Sequence, residues 1–239
     1  MLHCPDEFTT MLDQLVDQTL EQAAVERPPV DAFAAADSLG LQVFVDPNQR
    51  GRGRIVTLPS GSTIFLAPAP RPERHQWALA HEIGEYLLEQ SPVSDDLDGC
   101  FEDPSLREEL ANRFATLLLV PSQWWEFDAR MAGYDLLQLK TIYPNVSHEL
   151  LALRLLDLDP PSMISIFDKG RLVRRVGNCC SQPPPLQRLE RRAQSHAHQY
   201  AEQIELSDMS YRVWAWPIHQ DGWKREVVRT LVIDESPWD

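Results

Sequence analysis

Apolar residues recur with a helical period at the start of the chain. Phe8, Leu12, Leu15, Val16 and Leu20 share one side of a helix over residues 6–24, which Pro28-Pro29 breaks. A second short helix spans 30–39 and ends at Gly40. Residues 41–45 alternate like a strand, and 54–58 with 62–66 read as a hairpin about Pro59-Ser60-Gly61. Pro68, Pro70 and Pro72 deliver the chain to a helix over 74–89, and 91–103 is an acidic loop with little apolar content. Asp103-Pro104 opens the next helix as an N-cap and N1 pair. Its buried stripe is Leu106, Leu110, Phe114, Leu117 and Leu118, and Pro121 stops it.

Trp124, Trp125 and Phe127 follow and are expected in the core; an aromatic shelf for substrate is the alternative. Residues 134–157 read as two short helices joined by Tyr143-Pro144-Asn145-Val146-Ser147. The pair has the outline of a helix-turn-helix, but its second helix, 148–154, offers few basic groups for DNA. Pro160-Pro161 marks a boundary. Beyond it come a hairpin of 163–167 and 171–176, a helix running through Ile204, and strands over 211–218 and 225–233. The expected fold class is α+β. A domain made of a small sheet plus helices fills 1–159 and includes the helical pair 134–158. A small α+β module of unassigned role fills 160–239.

Composition adds constraints on partners. The 239 residues include 36 acids and 22 bases, a net charge of −14. Such a chain repels phosphate backbones, so direct nucleic-acid binding is not expected, whereas a basic protein partner is compatible. Asp6, Glu7 and Asp13 stand where a secretory leader would be basic and then apolar, and no apolar run approaches membrane-spanning length. The four cysteines, Cys4, Cys100, Cys179 and Cys180, form no C-x-x-C and no ordinary disulfide framework. A reducing cytoplasm is the expected compartment.

The candidate chemistry lies in the 74–89 helix, at His81-Glu82-Ile83-Gly84-Glu85. Residues i and i+4 of a helix sit one above the other, so His81 and Glu85 can reach one metal ion. Glu82 is turned about 100° away and points past the ion. Zinc proteases use this arrangement as H-E-x-x-H, in which the intervening Glu takes a proton from a water at the metal. Here Glu85 stands in place of the second His, and the pattern alone also fits a plain i,i+4 contact on a helix surface.

A third ligand has to come from elsewhere. On the following helix Glu108, Ala111, Asn112 and Ala115 share a face opposite the apolar stripe, a shallow surface able to approach Gly84. Glu109 is the rival ligand but points about 100° off that face. Glu108 also fits a capping box with Ser105, which Pro104 disfavours by making Asp103 the cap. Together, Ala80-His81-Glu82-Ile83-Gly84 and Glu108-x-x-Ala111-Asn112-x-Phe114-Ala115-x-x-Leu118-Leu119-Val120-Pro121 resemble the ImmA/IrrE metallo-endopeptidase family. That family reads A-H-E-[LI]-G-H and then E-x-x-A-N-x-F-A-x-x-L-L-M-P. The resemblance extends over residues 30–158 and implies that the 1–159 domain is zincin-like, a small sheet plus active-site helices.

The resemblance implies a cytoplasmic metallopeptidase that cuts a helix-turn-helix repressor and so switches on stress or mobile-element genes. It implies one divalent cation, Zn or Mn, with His81 and Glu108 as ligands, Glu85 in the place of the second His, Glu82 as general base and Asn112 close behind the ligands. Glu85 leaves three outcomes open. It binds the ion; it orients His81 or a water; or the ion is lost and the fold persists as a catalytically inactive interaction or sensor module. As a ligand it would bring the site to formal neutrality, raise the pH optimum relative to H-E-x-x-H relatives and favour harder ions such as Mn²⁺. Three carboxylates converging without a cation would raise one another's pKa values, which argues for a retained ion.

Elsewhere, His75 is expected as a surface or capping residue. His196 and His198, at i and i+2, point apart and are not expected to share a metal. Arg188, Arg191 and Arg192 read as a solvated helix face, and the thiols of Cys179-Cys180 as buried or in a loop. The 62–66 strand is either an edge that pairs with an extended peptide or part of the core sheet.

Overall fold

The structure is a computed structural model that describes residues 6–59, 61–90, 103–158, 160–179 and 182–233. The expected acidic loop lies almost wholly outside the described residues. The chain divides into two compact units, Leu2–Met131 with Lys140–Ser147, and Ala132–Leu139 with His148–Asp239.

The first unit begins with α1 (Asp6–Gln22) and α2 (Ala32–Ser38). Leu12, Val16 and Leu20 of α1 are buried as the periodicity requires. Strands β1 (Gln42–Val45), β2 (Gly53–Leu58) and β3 (Gly61–Leu66) follow. They form a sheet of order β1-β3-β2, with β1 parallel and β2 antiparallel to β3. The 62–66 strand is therefore central and cannot accept a peptide at its side; among the described residues, β2 and β1 are the edges.

Helix α3 (Pro72–Gln90) crosses α4 (Pro104–Leu119) to make the main helical contact of the unit. Gln76 ties α3 to α2 by accepting from the Ala32 amide at 2.7 Å and donating to Asp31 Oδ1 at 2.8 Å. Asp103 caps α4, accepting from the Ser105 amide at 2.9 Å, with Pro104 in its first turn. Leu79, Ile83, Leu110, Phe114 and Leu118 are fully buried. Each contributes about 1.5–3 kcal/mol by leaving water, which makes this crossing a rigid platform.

The crossing differs from its expected form in one respect. Nearest to Gly84 is Phe114 of the apolar stripe: a Cβ at position 84 would lie 2.8 Å from Phe114 Cδ1. Ala111 and Ala115 are buried as completely as Leu110 and Phe114, so α4 is enclosed on both faces there.

The aromatic segment after Pro121 is a helix in its own right, α5 (Ser122–Met131). A helix turns its three aromatics in different directions. Trp125 enters the core and meets the Tyr143 ring edge-on at 5.8 Å, and the Tyr143 hydroxyl donates to Asp128 Oδ2 at 2.6 Å. Phe127, expected in the core, is 68% exposed. Helix α6 (Leu136–Ile142) completes this stretch.

The second unit contains α7 (His148–Arg154), β4 (Ser162–Asp168), β5 (Arg171–Gly177), α8 (Arg188–Tyr200), β6 (Ile204–Ser207), β7 (Tyr211–Pro217) and β8 (Arg225–Val232). The strands form one antiparallel sheet of order β5-β4-β8-β7-β6. Helix α8 lies on it and buries Leu189, Ala193 and Ala197 against Phe167, Val213, Ala215 and Val228. This helix does not run through Ile204 as expected. Ala201 takes a left-handed conformation (φ 56°) that ends it, and Ile204 opens β6. Glu149 of α7 accepts from Arg174 at 3.2 Å and from Arg225 at 2.7 Å, so the polar side of this helix is held against the sheet. No helix among the described residues is long and apolar enough to cross a membrane.

Candidate metal centre

The α3–α4 crossing brings three predicted groups to one point. His81 Nε2 lies 3.8 Å from Glu85 Oε1 and 3.5 Å from Glu108 Oε2. One ligand atom from each of the three lies within 4.8 Å of the others. His81 and Glu85 come together because they are one helical turn apart. Glu108 joins them because it sits in the first turns of α4. Its other oxygen accepts from Asn112 Nδ2 at 3.1 Å, one turn further on, which fixes the carboxylate's orientation. Glu109 does not line this cleft.

Glu82 lines the same cleft but, as its position on the helix requires, is turned from that point toward Gly53. It is only 4% exposed, and its Oε2 is buried without a hydrogen-bond partner. Burial, and secondarily the charges of Glu85 and Glu108, push its carboxyl up to about 7. Gly53 at the start of β2 makes room for it: a Cβ there would stand 2.5 Å from Glu82 Oε1.

His81 is fixed from above. Its ring stacks on Trp77 at 5.4 Å and 23°, and the Arg52 guanidinium lies 5.1 Å over the Trp77 ring. Trp77 precedes His81 by four residues, so this stack was legible from spacing alone. Arg52 and Gly53 come from another element, and no local pattern points to them. His75 plays no part here; its Nε2 lies 3.0 Å from the Ala67 carbonyl oxygen.

The donor set fits a divalent cation. A tetrahedral ion with bonds of about 2.0–2.2 Å separates its ligand atoms by about 3.3–3.6 Å. The His81–Glu108 distance falls in that range, and His81–Glu85 exceeds it by a shift a side chain makes easily. One imidazole and two carboxylates suit Zn²⁺ or Mn²⁺. The buried, unpartnered Glu82 Oε2 is a further observation that the site is built around a ligand. The residues face a cleft of about 590 Å³ whose opposite wall is β2, from Gly53 to Ile55.

The family model described as Peptidase_M78, IrrE N-terminal-like domain, matches residues 36–156, just over half of the chain. No curated protein matches. Among solved structures, a chain described as a Mycobacterium tuberculosis transcriptional regulator superposes with a TM-score of 0.64 at 18% sequence identity. The match covers 92% of this chain and 76% of that one. At that identity the likeness speaks for the fold alone.

Proposed function

The chain belongs to the IrrE N-terminal-like peptidase family, and from that premise we propose that it is a cytoplasmic, divalent-metal-dependent endopeptidase acting on a regulatory protein of the helix-turn-helix repressor type. The observation that carries this reading is the convergence of His81, Glu85 and Glu108 beside a buried Glu82. His81 Nε2 and one oxygen from each of the two carboxylates would hold the cation. When bound, the cation supplies Lewis-acid polarisation and makes water a stronger acid.

The chain's own groups do the rest. Glu82 takes a proton from the attacking water and returns it to the leaving amine. The Trp77–Arg52 stack holds the His81 ring in place. The outer edge of β2 forms a wall of the cleft, where an extended peptide can add as a further strand. Arg52 and Arg54 line the same wall and suit an acidic side chain of the substrate. A fold shared with a chain named as a transcriptional regulator is in keeping with a role in gene regulation.

A second reading is a non-catalytic sensor or interaction module on the same fold. It is favoured by Glu85 itself, which makes the site less positive than two imidazoles would and so activates water less. One experiment separates the two. Purified protein is incubated with Zn²⁺ or Mn²⁺ and the repressor encoded nearest its gene. A peptidase yields discrete fragments that disappear in Glu82→Gln while metal content is unchanged. Intact repressor that co-purifies with the protein under every metal condition supports the module.

A further inference from the structure

We propose that the second unit carries a separate zinc-binding site formed by His198, His219 and Glu226. These residues come from three segments: the last turn of α8, the loop after β7, and β8. Glu226 Oε1 lies 2.8 Å from His198 Nδ1 and 2.8 Å from His219 Nε2. One ligand atom from each lies within 4.8 Å of the others.

Two imidazoles and a carboxylate are a donor set that zinc takes with its fourth position open. The open side exists here: His198 is 35% exposed at its side chain and His219 16%, whereas Glu226 is wholly buried. A tetrahedral ion needs its ligand atoms about 3.3–3.6 Å apart, so each ring withdraws from the carboxylate by little more than half an ångström. The surroundings hold the ligands in place. Gln194 Nε2, one turn before His198, donates to Glu226 Oε2 at 3.2 Å, leaving Oε1 to face the rings. The β7–β8 turn is closed by paired Gln220 and Trp223 amides, at 2.8 and 2.9 Å, which fixes His219 above Glu226. Lys224 Nζ donates to the His198 carbonyl at 3.3 Å and holds the helix end to the same turn.

Besides Gln194, the buried carboxylate meets two donors, the rings of His198 and His219. A bound Zn²⁺ replaces those two donors and fastens α8 to the β7–β8 hairpin. The site shares no residue with the α3–α4 cluster, so it stands or falls independently of the peptidase reading.

The test is metal content of the full chain, stripped of metal, re-equilibrated with micromolar Zn²⁺ and freed of excess. Wild type should hold one equivalent more than His219→Gln, whatever the occupancy of the His81 cluster. His81→Ala should retain one equivalent, and the double variant His81→Ala with Glu226→Gln should hold none. Circular dichroism shows which variants are folded. Should His219→Gln misfold, X-ray absorption of zinc-loaded His81→Ala gives the same answer, with two imidazoles expected around the metal. Equal metal content in folded His219→Gln and wild type overturns the proposal. So does a His81→Ala protein that binds no zinc, or one whose zinc has no imidazole ligand.

Discussion

Glu82 shows how much one side chain depends on residues far from it in sequence. Its place between His81 and Glu85 was legible from the motif. Its burial was not, because that depends on Gly53, which the β2–β3 pairing brings to it. Gly53→Ala puts a Cβ 2.5 Å from Glu82 Oε1, so the carboxylate or the strand must move. The expected result is a loss of about 1–3 kcal/mol in unfolding free energy, read by denaturant titration, together with loss of cleavage. The raised pKa of Glu82 has its own consequence. In the metal-free protein the folded state holds this proton up to about pH 7, against an ordinary value of 4.5. Stability from this group is complete below the lower value and is lost as pH rises through the upper one. Glu82→Gln should therefore stabilise the chelated protein at pH 8, by up to about 3 kcal/mol, and leave it nearly unchanged at pH 4. Melting curves of both proteins at the two pH values check this. His198 gives the opposite lesson. Helical spacing separates it from His196, but spacing says nothing of His219 and Glu226, which arrive from the loop after β7 and from β8.

At the scale of elements, apolar periodicity located nearly every helix and strand, and the errors have physical causes. The aromatic run after Pro121 has too few apolar repeats to display a helical stripe, because α5 buries only Trp125 and Ala129. Helix α8 ends at an alanine in the left-handed region, with no glycine to announce it. Sheet order is set by tertiary pairing, so the 62–66 strand could be recognised but not placed. The crossing of α3 and α4 was legible from its small residues, although the partner of Gly84 is the Phe114 ring. Gly84→Ala drives a methyl to 2.8 Å from that ring, which is itself enclosed. A destabilisation of about 1–3 kcal/mol is expected, with Glu108 displaced from His81 and metal affinity reduced. Isothermal titration with Zn²⁺ alongside a denaturant melt would register both effects, and an unchanged titration would show that the crossing does not set the site.

At the scale of the whole molecule, a net charge of −14 sets the terms on which partners approach. An acidic chain attracts basic proteins and is screened from nucleic acid, so association with a basic repressor should weaken as salt is raised. The acid at position 85 belongs at this scale too, because as the proposed ligand it would set which cation and which pH the protein works with. Glu85→His should move metal preference from Mn²⁺ toward Zn²⁺ and lower the pH of maximal cleavage. A pH profile of the two proteins on one substrate tests this, and a wild-type maximum below neutrality would count against Glu85 as a ligand. The most direct test is an anomalous-difference map from crystals grown with Zn²⁺ or Mn²⁺, measured at the metal's absorption edge. The expected result is a peak within bonding distance of His81 Nε2, Glu85 and Glu108, with Glu82 beside it and unbonded. No density between those three side chains, in crystals shown to contain the metal in solution, would contradict the account.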